Sequence, residues 1–246
     1  MSINSKITDE NIKIRSFLMA GQSNMAGRGE FADVPVIRNR LCYMLRMGRW
    51  QAMREPVNPD REIFESKHHS GISLAASFAN EYAIDRGEEI GLIPCADGDT
   101  SIDDWMPGEV LYDHAVMMTK LAMRSSELTG IIWHQGESDC RSDELLYSYK
   151  GKFIKMITCL RRELGNDELP IIIGELSKNI SADWRLGDRP TRMNRIFKEI
   201  TDELPFCRVA SADGLTLKAD GVHFDAVSSR ELGKRYYKAF CELCAK

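Results

Sequence analysis

Short apolar runs alternate with longer amphipathic stretches along this chain, and that alternation limits its possible folds more than any other feature. Runs of strand length lie at residues 14–20, 90–96, 130–134, 170–174 and 206–211. Stretches of helical periodicity lie at residues 73–86, 113–126, 145–164, 191–204 and 228–245. Because the short runs are almost continuously apolar, they are typical of strands buried on both faces. The pattern therefore predicts an α/β fold, in which helices cover both faces of a parallel sheet.

The chain of 246 residues contains no repeat, low-complexity tract or Pro/Gly/Ser linker that would divide it. Its least regular part, residues 27–71, precedes a helical stretch and does not separate two apolar cores. We therefore expect a single domain over residues 1–246.

Composition and charge exclude several classes of protein. Hydrophobic residues at 43% and charged residues at 28% are typical of a soluble globular domain. The 33 basic and 37 acidic residues give a net charge of −4, so we expect neither nucleic acid nor an anionic membrane as a partner. No apolar run approaches the roughly 20 residues that a membrane-spanning helix needs. The oligomeric state is left open.

The cysteines and the N-terminus bear on the cellular compartment. The seven cysteines are an odd number, and only Cys241 and Cys244 show a paired spacing. We therefore interpret them as reduced thiols. Residues 1–13 lack the profile of a secretory signal, although a signal could have been removed. Both observations favour a cytoplasmic location.

Polar segments follow several of the predicted strands, where α/β sheets bind their ligands. After the first strand, residues 21–27 read GQSNMAG, which places Ser23 between two amides, Gln22 and Asn24, at a sharp turn. Such a serine is either an exposed nucleophile or a helix cap, and taken alone the cap is the more common case. The other segments favour the nucleophile.

Two further strand ends carry polar groups. Residues 97–102 read DGDTSI, in which Gly98 would let the backbone and its N–H approach a ligand closely. Residues 133–139 read WHQGESD, and Gln135 and Glu137 in this segment need partners or a ligand. We expect Glu137, together with Gln22 and Asn24, to support the site: Glu137 would hold the Gln135 amide in its orientation or assist a network behind it.

Near the C-terminus, Asp220 precedes His223 by three residues in a glycine-containing turn. This spacing lets the carboxylate hold the Nδ1–H of the ring and leaves Nε2 free as a base. If the segments converge, the chemistry is acyl transfer: Ser23 is the nucleophile, His223 the base and Asp220 its orienting group. The main-chain N–H groups of Ser23 and Gly98 and the side-chain amide of Gln135 would then bind the oxyanion.

The segments GQSNMAGRG, IPCADGDTSIDDW, IIWHQGESD and DGVHF, in this order, resemble the sialate O-acetylesterase-like carbohydrate esterases, carbohydrate esterase family six, within the SGNH hydrolases. The resemblance extends from about Phe17 to the final helix. It implies a flavodoxin-like, three-layer α/β/α fold with a mostly parallel sheet, and hydrolysis of acetyl esters on sugars with neither metal nor cofactor. It also implies the same site residues: Ser23, Asp220 and His223 match the triad, and Gly98 and Gln135 match the oxyanion donors.

One position departs from the family pattern. Members usually read Gly-Gly-Thr-Ser in the second segment, whereas this chain has Asp99 after Gly98. A carboxylate there would oppose the oxyanion and raise the pKa of His223, unless it points to solvent or pairs with a base such as Arg28. An alternative function follows: a catalytically weak or inactive relative that binds acetylated glycans.

Several further residues could contact a substrate or a cofactor. Trp105 and Trp133 are candidates either for stacking on a sugar or for core packing. Acetylxylan-like and sialic-acid-like substrates both stay open. Residues 27–32 fit a dinucleotide pattern formally but lie too far beyond the strand, and the adjacent His68 and His69 complete no tetrahedral ligand set. We therefore expect neither a cofactor nor a metal.

Overall fold

The computed structural model describes residues 14–60 and 69–245. The interpretation of residues 1–13 and of His68 therefore falls outside the described residues. A seven-stranded sheet has the order β3-β2-β4-β1-β5-β6-β7, and all neighbours are parallel except β2 and β3. The strands are β1 Ile14–Gly21, β2 Cys42–Arg46, β3 Arg49–Ala52, β4 Ile90–Pro94, β5 Ser126–His134, β6 Ile171–Gly174 and β7 Cys207–Ala210.

The helices form the two outer layers. They are α1 Ser23–Ala26, α2 Leu74–Arg86, α3 Val110–Ala122, α4 Asp143–Leu164, α5 Arg189–Glu203 and α6 Ala226–Cys244. Helices α3, α4 and α5 pack on one face of the sheet, and α2 and α6 pack on the other. The predicted α/β class, with three layers and a mostly parallel sheet, is confirmed.

Each predicted helix and strand is present, and helix ends differ from the prediction by at most four residues. Four helices, α3 to α6, begin two or three residues earlier than the apolar periodicity indicated, and in two of them a side chain caps the start. Ser142 Oγ accepts a hydrogen bond from the Leu145 N–H at 3.2 Å at the start of α4. Asp225 Oδ1 accepts from the Ser228 N–H at 2.7 Å at the start of α6.

The prediction missed the hairpin β2-β3, which lies within the least regular part of the sequence. Its two-residue turn places Met47 at φ 50° and Gly48 at φ 73°, the left-handed pair that matches the twist of a tight hairpin. Met47 is 96% exposed and is not a residue that favours this conformation. Since β3 is short and mostly exposed, neither turn chemistry nor alternation marked it.

Consecutive residues of the central strands supply opposite faces of the sheet, which explains their continuous hydrophobicity. On β1, Phe17 belongs to the core under α2 and α6, and Leu18 belongs to the core under α3, α4 and α5. Trp105 and Trp133 both lie in the latter core, at 2% and 1% exposure, with ring centroids 5.1 Å apart. Both tryptophans are therefore core-packing residues and do not stack on a sugar.

The cysteines are all free, and four of them are buried: Cys42, Cys95, Cys140 and Cys207. Burial raises the pKa of Cys42 and that of Cys95 to about 12, so these thiols stay protonated and unreactive near neutral pH. Across the described residues, 14–60 and 69–245, no helix is both long enough and apolar enough to cross a membrane.

Candidate active site

The serine lies at the carboxyl end of the central strand β1. Gly21 closes this strand at φ 127°, and a Cβ built there would lie only 2.1 Å from the carbonyl oxygen of His134. Only glycine permits this approach of β1 to β5, and the Gln22 N–H then donates to the same oxygen at 2.8 Å. The chain turns directly into α1, so Ser23 becomes the first residue of a short helix and is 7% exposed.

Ser23, His223 and Asp220 are joined by hydrogen bonds although the serine and histidine are 200 residues apart. His223 Nε2 lies 2.9 Å from Ser23 Oγ, and His223 Nδ1 lies 2.9 Å from Asp220 Oδ2. The other oxygen, Asp220 Oδ1, accepts from the main-chain N–H groups of Val222 and His223, each at 3.0 Å. The arrangement lets the ring accept a proton from the serine hydroxyl.

The charges around this triad favour a negative Asp220 and a neutral His223. Burial raises the pKa of Asp220, but the two backbone donors and the His223 ring outweigh it and hold that pKa below its ordinary value. Burial also lowers the pKa of His223, against the opposing effect of Asp220, and Arg28 lowers it further. The histidine is therefore poised as a base near neutral pH.

Asn24 connects the serine to the segment that carries His223. Its Nδ2 donates to Glu137 Oε1 at 2.6 Å, and its Oδ1 accepts from the Phe224 N–H at 3.0 Å. The Gln22 side-chain amide lies in the same buried layer, 3.2 Å from Gln135 Nε2. The structure thus brings the predicted supporting residues Gln22, Asn24 and Glu137 together beside the triad, and Glu137 holds the Asn24 amide instead of the Gln135 amide.

The structure differs from the prediction at Gln135. This side chain is fully buried, and Gln135 Nε2 donates to Thr100 O at 2.9 Å and to the carboxylate of Asp139. It does not line the cavity beside Ser23. Asp139 is the physical reason: burial raises its pKa to about 6, and it draws donors from Gln135 and from the Ile102 N–H at 3.1 Å. The Gln135 amide thus links the loop of Thr100 to the loop of Asp139, and it does not face the position of an oxyanion.

A cavity of about 640 Å³ opens above the serine, lined in part by Ser23, Arg28, Gly98 and His223. A Cβ built on Gly98 would lie 3.7 Å from Ser23 Cβ and 2.8 Å from Arg28 Nη2. The main chain at Gly98 therefore runs close to the serine, as predicted from the second segment. A side chain at position 98 would displace the Arg28 guanidinium.

Asp99 is directed to a partner that the sequence did not indicate. Its carboxylate contacts Arg141 Nη2, and not Arg28, while its side chain is 75% exposed. The backbone at Asp99 has φ 62°, in the left-handed region that favours glycine, which is the residue the family usually has there. The charges that act on His223 are those of Asp220, Arg28 and Glu137. Asp99 thus contacts Arg141 at the rim of the cavity and is not aimed at the serine.

The sequence patterns missed one aromatic residue of the cavity, Trp184. Trp184 is 41% exposed as a residue and lines the cavity, and its Nε1–H donates to Asp220 O at 2.9 Å. The only signal was an aromatic side chain in a polar segment, residues 181–189, beyond a strand end. Among the described residues, no three His, Cys, Asp or Glu side chains are grouped so that they could hold a metal ion.

This three-layer fold, with its mostly parallel sheet, is also found in the solved structures of a lipase/acylhydrolase and an acetyl xylan esterase, which are 15% and 13% identical to this chain. The family model described as carbohydrate esterase, sialic acid-specific acetylesterase matches residues 13–242, and the chain belongs to this family. It is therefore a carboxylic ester hydrolase of the carbohydrate esterase type.

Similar proteins agree with this assignment. A probable carbohydrate esterase of Arabidopsis thaliana is 30% identical over 254 residues, covering 92% of this chain and 91% of that protein. The X-ray structure of an Arabidopsis thaliana protein has a TM-score of 0.82 at 26% identity, covering 94% of this chain and 98% of the other. The crystal structure of NanS has a TM-score of 0.75 at 14% identity, covering 95% and 98% of the two chains, and shows likeness of fold.

Proposed function

We propose that this protein removes O-acetyl groups from carbohydrates through an acyl-Ser23 intermediate. The observation that carries the proposal is the chain of hydrogen bonds from Asp220 through His223 to Ser23, with 2.9 Å at each ring nitrogen. These three residues line a cavity of about 640 Å³, and this volume is within the usual range for small-molecule sites.

In the first half of the reaction, Ser23 Oγ attacks the acetyl carbonyl carbon while its proton moves to His223 Nε2. Asp220 stabilises the imidazolium that forms, because its Oδ2 accepts from the Nδ1–H. The tetrahedral intermediate then collapses, and the bond between the carbonyl carbon and the sugar oxygen breaks. His223 returns its proton to that oxygen, so the sugar leaves as an alcohol and Ser23 is acetylated.

In the second half, water takes the place of the sugar hydroxyl. His223 Nε2 accepts a proton from water as the water oxygen attacks the acetyl carbon. The second tetrahedral intermediate breaks its bond to Ser23 Oγ, and the proton on His223 returns to the serine. Acetic acid leaves and loses its remaining proton to solvent as acetate, and the enzyme is restored with one water consumed.

We propose the main-chain N–H groups of Ser23 and Gly98 as oxyanion donors. The N–H of Ser23 belongs to the first residue of α1, where a helix offers its own N–H groups no carbonyl partner. Gly98 is proposed because its main chain runs beside the serine. One such donor is worth about 10²–10³ in rate. Gln135 has no part in this proposal, because Thr100 and Asp139 hold its amide away from the cavity.

The acetylated sugar is proposed only as a class. Trp184 offers an exposed ring at the cavity wall, which suits the apolar face of a sugar. The charged residues of the wall are of both signs, with Arg28 and Arg141 beside carboxylates such as Asp60 and Asp97. This mixed charge suits acetylxylan-like and sialic-acid-like esters alike, so the assay includes both.

The test compares wild type with Ser23→Ala on a chromogenic acetyl ester. Butyryl and longer esters, acetylated xylan and an O-acetylated sialic acid are assayed alongside. Ser148→Ala is the matched control, because within the described part of the chain its hydroxyl donates to Leu145 O, in the same helix, at 3.0 Å. We expect Ser23→Ala to lose at least about 10³-fold in kcat/KM, with acetyl esters preferred.

Two results would contradict the proposal. One is a Ser23→Ala enzyme that keeps more than about a tenth of the activity. The other is a folded wild type that is inert on every ester but binds acetylated glycans, which is the alternative function that Asp99 suggested. The contact between Asp99 and Arg141 weakens the reason for that alternative, so we favour the esterase.

A further inference from the structure

We propose that His134 and Glu137 form a buried, ionised positioning pair that, through Asn24, holds the His223 segment against Ser23. The inference rests on the proposed esterase function. It assigns a role to His134, which is fully buried behind the triad at the end of β5.

The hydrogen bonds around His134 determine where its protons are. Tyr236 Oη donates its single hydrogen to Trp133 O at 2.8 Å. His134 Nδ1 lies 2.9 Å from the same Tyr236 oxygen, so the ring must be the donor in that contact. Nδ1 of His134 therefore carries a hydrogen.

The other ring nitrogen faces a carboxylate. His134 Nε2 lies 3.6 Å from Glu137 Oε1, and both side chains are almost completely buried. A neutral ring with its hydrogen on Nδ1 would direct a lone pair at this carboxylate, which is an unfavourable contact away from water. The doubly protonated ring donates to Tyr236 and forms an ion pair with Glu137 at 3.6 Å, which is too long for a hydrogen bond. Burial raises the pKa of Glu137, but His134 and Asn24 outweigh that effect and hold the pKa below its ordinary value.

The surrounding backbone leaves room for this contact. A Cβ built on Gly174, the last residue of β6, would lie 2.0 Å from Tyr236 Oη and 2.3 Å from His134 Nδ1. Any side chain at position 174 would therefore prevent the two groups from meeting. On the other side, the Phe224 ring packs edge-on against His134, with centroids 5.8 Å apart.

Asn24 connects Glu137 to the active site by a hydrogen bond. Glu137 Oε1 accepts from Asn24 Nδ2 at 2.6 Å. Asn24 Nδ2 also donates to Val222 O at 3.3 Å, and its Oδ1 accepts from the Phe224 N–H at 3.0 Å. Since Val222 and Phe224 flank His223, the amide next to the serine fixes both sides of the catalytic histidine.

The charge of Glu137 also acts on His223. The ring of His223 faces Asp220 and Glu137, which raise its pKa, and Arg28, which lowers it together with burial. Glu137→Gln has the same shape but no charge, so it removes the contribution of Glu137 that raises this pKa. A purely structural role for Glu137 would leave the pKa of His223 unchanged.

The experiment compares wild type, Glu137→Gln and Glu137→Ala, with Glu144→Gln in the first turn of α4 as the matched control. We measure kcat and KM on the chromogenic acetyl ester across pH. Glu137→Gln should lose about tenfold in kcat with little change in KM, and its acid limb should move to lower pH. Glu137→Ala should lose about 10²-fold, so that glutamine partly rescues it. The proposal would be overturned if Glu137→Gln had the same kcat and the same pH profile as wild type.

A second measurement does not depend on activity. In ¹⁵N-histidine-labelled wild type, the His134 signals are identified by their loss in His134→Gln. We expect both ring nitrogens of His134 to be protonated at pH 7, and a neutral ring would overturn the ionised pair. If wild type fails to cleave esters, the proposed function is wrong. The spectrum still shows whether His134 and Glu137 form an ionised pair.

Discussion

Replacing Asp220 by asparagine tests the geometry of the triad most sharply, because the structure determines how the new amide must turn. Asp220 Oδ1 accepts from the N–H groups of Val222 and His223. In Asp220→Asn the amide oxygen must stay with these two donors, so the NH₂ group takes the place of Oδ2. It then faces His223 Nδ1, which must become an acceptor.

The consequence is the wrong tautomer of the catalytic histidine. With Nδ1 accepting, the hydrogen moves to Nε2 and points at Ser23 Oγ, so the ring cannot take the serine proton. The same replacement of a triad aspartate costs about 10⁴ in kcat in a serine protease. Because the Asp220 side chain is 37% exposed, water partly stabilises the alternative ring forms, and we expect about 10³-fold, or about 4 kcal/mol in activation free energy.

The assay is steady-state hydrolysis of the chromogenic acetyl ester at pH 7, with kcat and KM determined separately. KM should change little, since no contact with the substrate is removed. Asp213→Asn is the control, because this exposed carboxylate lies 3.3 Å from Lys178 Nζ and outside the triad. A kcat within tenfold of wild type in a folded Asp220→Asn protein would refute the reasoning.

Three further outcomes are expected. The acid limb of kcat/KM should have its midpoint below pH 6.5, because burial lowers the pKa of His223 and only its neutral form accepts the serine proton; a midpoint above 6.5 would disagree. Trp184→Ala should raise KM about fivefold for acetylated oligosaccharides but not for the small chromogenic ester. Gly21→Ala should lower the free energy of unfolding by about 3 kcal/mol or more in denaturant titrations, whereas Gly151→Ala within α4, with no atom in the way, should raise it by about 0.5–1 kcal/mol.

The hydrogen-bonded arrangement of Ser23, His223 and Asp220 could be predicted from the sequence because each segment of it is recognisable locally. Ser23 follows the end of a buried strand, and Asp220 reaches the ring of His223 from three residues away. Parallel strands bring their carboxyl ends to one edge, so these segments had a reason to converge. The helices and central strands were predictable for a similar reason, since burial on both faces leaves a continuous apolar signal.

Features that depend on partners from distant segments could not be predicted. The direction of the Gln135 amide depends on Thr100 O and the Asp139 carboxylate, and the carboxylate of Asp99 turns to Arg141, 42 residues away. Trp184 reaches the cavity through a loop after β6 whose course has no periodicity. Hydrophobic patterns report which face of an element is buried, and they do not report the rotamer of a polar side chain.

Covalent labelling of the serine tests the acyl-Ser23 mechanism most directly. Wild type is treated with a fluorophosphonate ester, which reacts with activated serine hydroxyls, and the labelled peptide is identified by mass spectrometry as esterase activity is followed. We predict one label per chain, on Ser23, with activity lost in proportion to labelling. Full labelling of Ser23 with unchanged activity, or complete inactivation with the label on another residue, would contradict the mechanism.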